Sequence, residues 1–110
     1  MLYVQLQLGG AVLPALVDSG VCDNFISAQT AGDMHLEIRP LRKATRILSA
    51  NEQPMECASY VVVTAVLGVL SFPLSLRVIP SSIRLILGPR FLHRFNPRIS
   101  WRAGTLTIEQ

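Results

Sequence analysis

Apolar and polar residues alternate with a period of two at the start of the chain. Tyr3 to Leu8 follows this alternation, which predicts a β-strand. Gly9-Gly10 comes next and predicts a tight hairpin turn, after which Ala11 to Val17 is expected to form a second, mostly apolar strand. The hairpin leads directly into Asp18-Ser19-Gly20, so a carboxylate lies in a loop at the end of an apolar strand.

The middle of the chain carries a longer hairpin pattern. Met55 to Leu67 and Val69 to Ile79 are rich in β-branched residues and meet at Gly68, which predicts two strands joined by a turn. Pro73 predicts an edge or a bulge in the returning strand, because proline cannot donate to a sheet ladder. The polar segment Ser49 to Pro54 before this hairpin predicts a loop.

Shorter elements surround the two hairpins. Asn24 to Ala31 predicts a short helix or turn with Asn24 as its cap, and Pro89 to Phe95 predicts a helix that begins at its proline. Asn96-Pro97 is expected to end that second helix. The remaining short strands are predicted at Leu36–Ile38, Thr45–Leu48, Ile83–Leu87, Ile99–Trp101 and Thr105–Ile108. This element content predicts an all-β barrel or sandwich with one or two short helices.

Composition narrows the class of protein. The 110 residues suggest one domain, and the strand-like opening suggests that this domain, residues 1–110, is excised from a longer polyprotein. Half of the residues are hydrophobic, which suggests that a partner covers part of the surface. The net charge is +3, but the ten basic residues are spread along the sequence without zinc-knuckle spacing. We therefore expect no nucleic-acid contact.

The cysteines, the histidines and the longest apolar run add little chemistry. Cys22 and Cys57 are interpreted as reduced thiols of a cytoplasmic protein, since nothing in the sequence indicates secretion. His35 and His93 lack the spacing of metal ligands, so no metal or other cofactor is expected. Tyr60 to Leu76 is nearly all apolar, but its valines, glycine and proline favour buried strands over a membrane span.

Asp18-Ser19-Gly20 is open to two interpretations by itself. These three residue types build ordinary turns, so the triplet alone favours a plain loop. A second element changes this balance, because Ile86-Leu87-Gly88 ends 70 residues after Asp18 and a predicted helix follows it. Two apolar residues and a glycine can pack beneath a loop that carries a catalytic carboxylate. An orphan barrel in which the triplet is only a turn remains the weaker alternative.

The combination of these two motifs resembles the retropepsin family of aspartic proteases. The segment Ala15 to Ser27, which contains Asp18-Ser19-Gly20 and Asn24-Phe25-Ile26, is similar to the active-site segment of gypsy-type LTR retrotransposon proteases. Leu85 to Leu92 and Asn96 to Trp101 resemble the C-terminal signature of the same group and of domesticated retrotransposon Gag–Pol-like proteins. The resemblance covers nearly the whole chain and implies a retropepsin-like closed barrel that acts as a homodimer.

The resemblance also implies a reaction. Asp18 and its symmetry mate would share one proton, hold a water molecule between them and cleave peptide bonds of a polypeptide substrate, such as the chain's own Gag/Pol-like polyprotein. Ser19 would lock the two active-site loops together, and Gly20 would let the backbone approach the carboxylates. Ile86, Leu87 and Gly88 would support the loop from below. The alternative is a catalytically inactive retropepsin-fold module for dimerisation or peptide binding.

Substrate-binding residues are expected beside the carboxylates and in a covering loop. Val21 would line the cleft and narrow its subsites, and Asp23 would contact the bound peptide, although Asp23, Asp33 and Glu37 are otherwise expected to be solvated. The loop that contains Asn51, Glu52 and Gln53 falls where the family has its flap, and an ordinary hairpin loop is the equal alternative.

The chain departs from retroviral members at two positions. Those members place an arginine after the glycine of the second motif and an acid four residues after the catalytic aspartate. Here Pro89 and Arg90 follow Gly88, and Cys22 takes the place of the acid. Both halves of that ion pair are therefore expected to be missing together, which leaves no buried orphan charge.

Overall fold

The first two strands form the predicted hairpin in the computed structural model, which describes residues 2–48, 54–100, 102 and 105–107. β1 (Leu2–Leu8) pairs antiparallel with β2 (Ala11–Val17) along its whole length. Gly9 and Gly10 have φ angles of 55° and 114°, values that side chains with a Cβ rarely adopt. The two glycines therefore allow the tight turn that the sequence predicts.

Six strands close into a barrel. The sheet order is β1-β2-β7-β3-β6-β5-β4, and β1 also pairs with β5 at Gln7 and Leu8, which closes the ring and leaves β4 outside it. The other strands are β3 (Phe25–Ser27), β4 (Arg39–Leu48), β5 (Pro54–Leu67), β6 (Leu70–Ile79), β7 (Leu85–Leu87), β8 (Arg98–Ser100) and β9 (Thr105–Thr107). The helices are α1 (Ala28–Asp33) and α2 (Pro89–Phe95). This architecture confirms the predicted closed barrel with two short helices.

β5 and β6 form the long hairpin around Gly68, whose φ angle is 61°. Pro73 pairs with Thr64 on β5, whereas among the described residues β3 pairs with β6 from Arg77 to Ile79 and not at Pro73. Pro73 therefore lies on a part of β6 with an open side, as its missing N–H group requires. None of the helices in the described residues is long and apolar enough to cross a membrane.

The barrel encloses the main hydrophobic core, and α2 closes one end of it. Phe91 of α2 is buried, and its ring lies near those of Phe72 on β6 and Phe95. Asn96 ends α2 in the left-handed conformation, which confirms the predicted end of this helix. A second apolar cluster lies beside the main core and consists of Phe25, Ile47, Cys57, Ile79 and Ile86.

Two local predictions are wrong. The segment predicted as a helix from Asn24 begins instead with strand β3, because Phe25–Ser27 is buried between β6 and β7 and pairs with both. Ser27, and not Asn24, caps α1 by accepting a hydrogen bond from the Thr30 N–H group at 3.1 Å. Leu36–Ile38 forms no strand, and the chain pairs with β5 only from Arg39 onward. Trp101, the last residue of the predicted strand Ile99–Trp101, lies outside the described residues.

Candidate active site

Asp18 lies where the apolar strand β2 ends. β2 runs parallel to β7, with Val17 opposite Leu87, and the Asp18 N–H group donates a hydrogen bond of 3.0 Å to the Leu87 carbonyl oxygen. The Asp18 side chain is half-buried. The two motifs that are far apart in sequence are thus adjacent in space, and β7 fixes the backbone from which the carboxylate projects.

Gly20 contacts the Asp18 carboxylate directly. Its N–H group donates a hydrogen bond of 2.8 Å to Asp18 Oδ1. A Cβ atom at position 20 would lie only 3.2 Å from the same oxygen. Ser19, between Asp18 and Gly20, is exposed. Val21, directly after Gly20, is half-buried. The loop therefore presents one carboxylate and one hydroxyl group at the surface of a single chain.

Gly88 lies under the active-site loop, where there is no room for a side chain. A Cβ atom at position 88 would collide with the carbonyl oxygen of Asp23 and lie 2.8 Å from Cγ2 of Val21. The absence of a Cβ thus lets the β7–α2 junction pack against the loop, while Ile86 and Leu87 are buried on β7.

We expect Gly88→Ala to lower the free energy of unfolding by about 2 kcal/mol, the usual cost of overpacking a tight contact. The measurement is urea unfolding of both proteins under identical conditions. Gly32→Ala is the matched control, because a Cβ at position 32 of α1 meets no atom within 4 Å. Equal stability of Gly88→Ala and the parent would contradict the packing described above.

Asn24 links the active-site loop to its neighbours and is not the helix cap that its sequence predicts. It is buried, and its side-chain Oδ1 accepts a hydrogen bond of 2.8 Å from the Gly88 N–H group. Its own N–H group donates to Asp23 Oδ1 at 2.8 Å, and its carbonyl oxygen accepts from the Arg77 N–H group at 3.0 Å. Asn24 therefore joins the loop to β6 and to the start of α2. The sequence signal for this role is a polar residue directly before the apolar pair Phe25-Ile26, which begins a buried strand.

Asp23 is buried, although the sequence predicts that it is solvated. Its carboxylate is largely buried and forms an ion pair with Arg77, with Nε of the arginine 2.7 Å from Oδ2. Arg90 Nε lies 3.7 Å from the other carboxylate oxygen. Positions 22 and 89 lack the acid and the arginine of retroviral members, but a different acid–arginine pair forms nearby, since the acid lies one residue after Cys22 and its main partner comes from β6. Asp33 and Glu37 are exposed, as predicted.

The remaining candidates from the sequence are the predicted flap residues, the two cysteines and possible metal ligands. Asn51, Glu52 and Gln53 lie outside the described residues, so the flap stays a prediction. Cys22 is exposed and Cys57 is buried, and both are free thiols. Within the described part of the chain, no group of His, Cys, Asp or Glu residues could hold a metal ion. The site therefore consists of the Asp18 loop, the support from β7 and the Asp23–Asn24 links.

Comparisons with known proteins agree with this geometry. A family model described as the PEG10/RTL1 protease domain matches residues 14–110. Among solved structures, the retroviral protease-like domain of Ddi1 from Leishmania major is similar, with a TM-score of 0.74 and 23% sequence identity. That similarity covers 100% of this chain and 89% of the other, and it shows the retropepsin-like fold. A search of curated proteins gives no match.

Proposed function

Because this chain belongs to the PEG10/RTL1 protease-domain family, we propose that it is an aspartic endopeptidase whose active site forms between two copies. The observation that supports this most directly is the placement of Asp18. Its backbone is held by Leu87, its carboxylate accepts a hydrogen bond from Gly20, and its side chain stays accessible. A single carboxylate cannot be base and acid at the same moment, so a second copy supplies the other.

The proposed mechanism uses one proton shared by two carboxylates. A water molecule lies between the two Asp18 side chains, and the ionised carboxylate takes a proton from it. The water oxygen attacks the scissile carbonyl carbon while the protonated carboxylate donates its proton to the carbonyl oxygen. Ser19 links the two loops through its hydroxyl group, and Gly20 leaves room for the carboxylates. The reaction proceeds without a metal ion and without a covalent intermediate.

The proposed substrate is an extended polypeptide, in the first place a Gag/Pol-like polyprotein that would contain this domain. Val21 would line the cleft beside Asp18, and Asp23 follows on the same loop. Asn51, Glu52 and Gln53 would cover the peptide as a flap and exclude water from it. Ile86, Leu87 and Gly88 support the loop from the barrel side.

Assembly of the site requires a two-fold symmetric dimer, which presents the same patch on both copies. The terminal segments Leu2–Leu8 and Thr105–Ile108 are the proposed patch. Among the described residues β1 pairs with β5 at Gln7 and Leu8, and Tyr3 near the start of the strand is 44% exposed, so we propose that the start of β1 contacts the second copy. β9 lies near β1 but pairs with β8 of its own chain.

The test of a two-copy site is the dependence of activity on protein concentration. Below the dissociation constant of the dimer, we expect the rate of cleavage to rise with about the square of the concentration, because two chains make one site. Deletion of Thr105–Gln110 is expected to yield monomers by analytical ultracentrifugation and to remove activity. A rate that stays proportional to concentration, with monomers in the ultracentrifuge, would contradict the shared site.

A further inference from the structure

The fold gathers arginines that are scattered in the sequence. Arg39 on β4 lies opposite Tyr60 on β5, and Tyr60 lies opposite Arg77 on β6. Side chains at directly opposed positions share a face of the sheet, so one aromatic residue lies between two arginines. Arg90, at the start of α2, lies near the same Asp23 carboxylate with which Arg77 forms its ion pair. Arginines that are far apart in the sequence are therefore close together in the fold.

Tyr60, Arg77 and Arg90 line a recess of about 180 Å³ on the outside of the barrel. The register between β4 and β5 shifts between Pro40 and Thr45, so β4 has extra residues there. Leu41 lies in this segment and forms the apolar wall of the recess. We name it the arginine recess, and its lining residues are Asp23, Leu41, Tyr60, Ser75, Arg77 and Arg90.

Positive charge exceeds negative charge in the arginine recess. Two guanidinium groups, from Arg77 and Arg90, face one carboxylate, from Asp23, so one positive charge is left over. The other nearby arginine, Arg39, is paired with Glu37 at 3.4 Å. Arg90 is the less engaged member, because it lies 3.7 Å from Asp23 and its side chain is 73% exposed.

Donors for hydrogen bonds also exceed acceptors. A guanidinium group has five N–H donors, and Asp23 accepts from Nε of Arg77. Nη1 of Arg77 is buried and has no acceptor among the described residues. Tyr60 and Ser75 add hydroxyl groups to the lining. A ligand that fits this surface has negative charge and two acceptor oxygens, which is the chemistry of a carboxylate or a phosphate.

We infer that the arginine recess binds an acidic side chain of the polypeptide substrate and thereby selects acidic sequences near the cleavage site. The inference rests on the proposed function, because it assigns a specificity to the same protease. Asp23 belongs to the loop that carries Asp18, and Arg90 follows the Gly88 that supports this loop. A peptide that passes over Asp18 can therefore extend to the recess.

A side-chain carboxylate fits the recess better than a free phosphate. Leu41 gives it an apolar wall, against which the methylene groups of a glutamate pack while the carboxylate reaches the guanidinium groups. One surplus positive charge matches one carboxylate, whereas a phosphate carries up to two negative charges.

The first experiment profiles cleavage of a peptide library by the parent protein and two variants. Arg90→Ala removes the exposed cation of the recess, and Arg42→Ala removes an exposed cation on β4 outside it. We expect the parent and Arg42→Ala to enrich Asp or Glu at one fixed distance from the cleaved bond. Arg90→Ala should reduce that enrichment about fivefold, the effect of a solvent-accessible ion pair, and Arg90→Lys should restore most of it. Cleavage without an acidic preference would overturn the inference.

The second experiment needs no catalysis, so it separates this inference from the proposed function. N-acetylglutamate N-methylamide and inorganic phosphate are titrated separately into the parent and Arg90→Ala, and amide chemical shifts are followed by NMR. Saturable shifts with the glutamate probe around Tyr60, Ser75 and Arg90, weakened in Arg90→Ala, support the recess even in a protein that cleaves nothing. Absence of these shifts, or tighter binding of phosphate than of the glutamate probe, overturns the assignment to an acidic side chain.

Discussion

Asp18→Asn is expected to abolish peptide cleavage while leaving the fold and the assembled state intact. The substitution preserves the shape of the side chain, and the amide oxygen can still accept the hydrogen bond from Gly20. Because both copies of the dimer carry the substitution, it removes the carboxylate that takes a proton from water and the carboxyl group that donates one to the carbonyl oxygen. Loss of this general acid–base catalysis should lower the rate by a factor of about 10³ or more.

The measurement is cleavage of a peptide library by both proteins at several pH values, with the oligomeric state followed in parallel. Asp33→Asn is the matched control, since it makes the same chemical change at an exposed position on α1. Equal cleavage by Asp18→Asn and the parent would show that Asp18 is not catalytic. No cleavage by the parent, with an intact dimer, would favour the alternative of an inactive dimerisation or peptide-binding module.

Arg77→Met is expected to lower the free energy of unfolding by about 3 kcal/mol, because it leaves the buried Asp23 carboxylate without its main partner. The ion-paired atoms are 2.7 Å apart, and the Asp23 and Arg77 side chains are only 10% and 23% exposed. Arg90 compensates little at 3.7 Å. Since Asp23 also accepts the Asn24 N–H group, the loss should disturb the loop that carries Asp18.

Chemical denaturation measures the effect, with Arg42→Met as a matched control at an exposed position of β4. The double variant Asp23→Asn/Arg77→Met should recover a substantial part of the lost stability. Its asparagine keeps an oxygen for the Asn24 N–H group without burying an unpaired charge. If Arg77→Met is no less stable than Arg42→Met, the ion pair does not stabilise the active-site loop.

The parts of the fold that sequence predicts well depend on neighbours along the chain. The β1–β2 hairpin, its Gly9-Gly10 turn and the α2 helix that begins at Pro89 were predicted with nearly the observed bounds. Alternation with a period of two and the special φ angles of glycine and proline act within a few residues, so they need no tertiary information. The pairing of the Asp18 and Gly88 motifs was accessible only through resemblance to a known family.

Other features follow from contacts between distant residues. Asn24 looked like a helix cap because capping is a local property, but strand β3 forms after it since β6 and β7 lie on both sides of Phe25–Ser27. Asp23 looked solvated because carboxylates usually are, yet an arginine 54 residues away reaches it. Burial and charge pairing depend on which strands become neighbours, and no local pattern encodes that choice. Apolar alternation and the Asp18-Ser19-Gly20 triplet therefore specified the barrel strands and the candidate carboxylate, whereas strand order decided the ion pair, the arginine recess and the support beneath the loop.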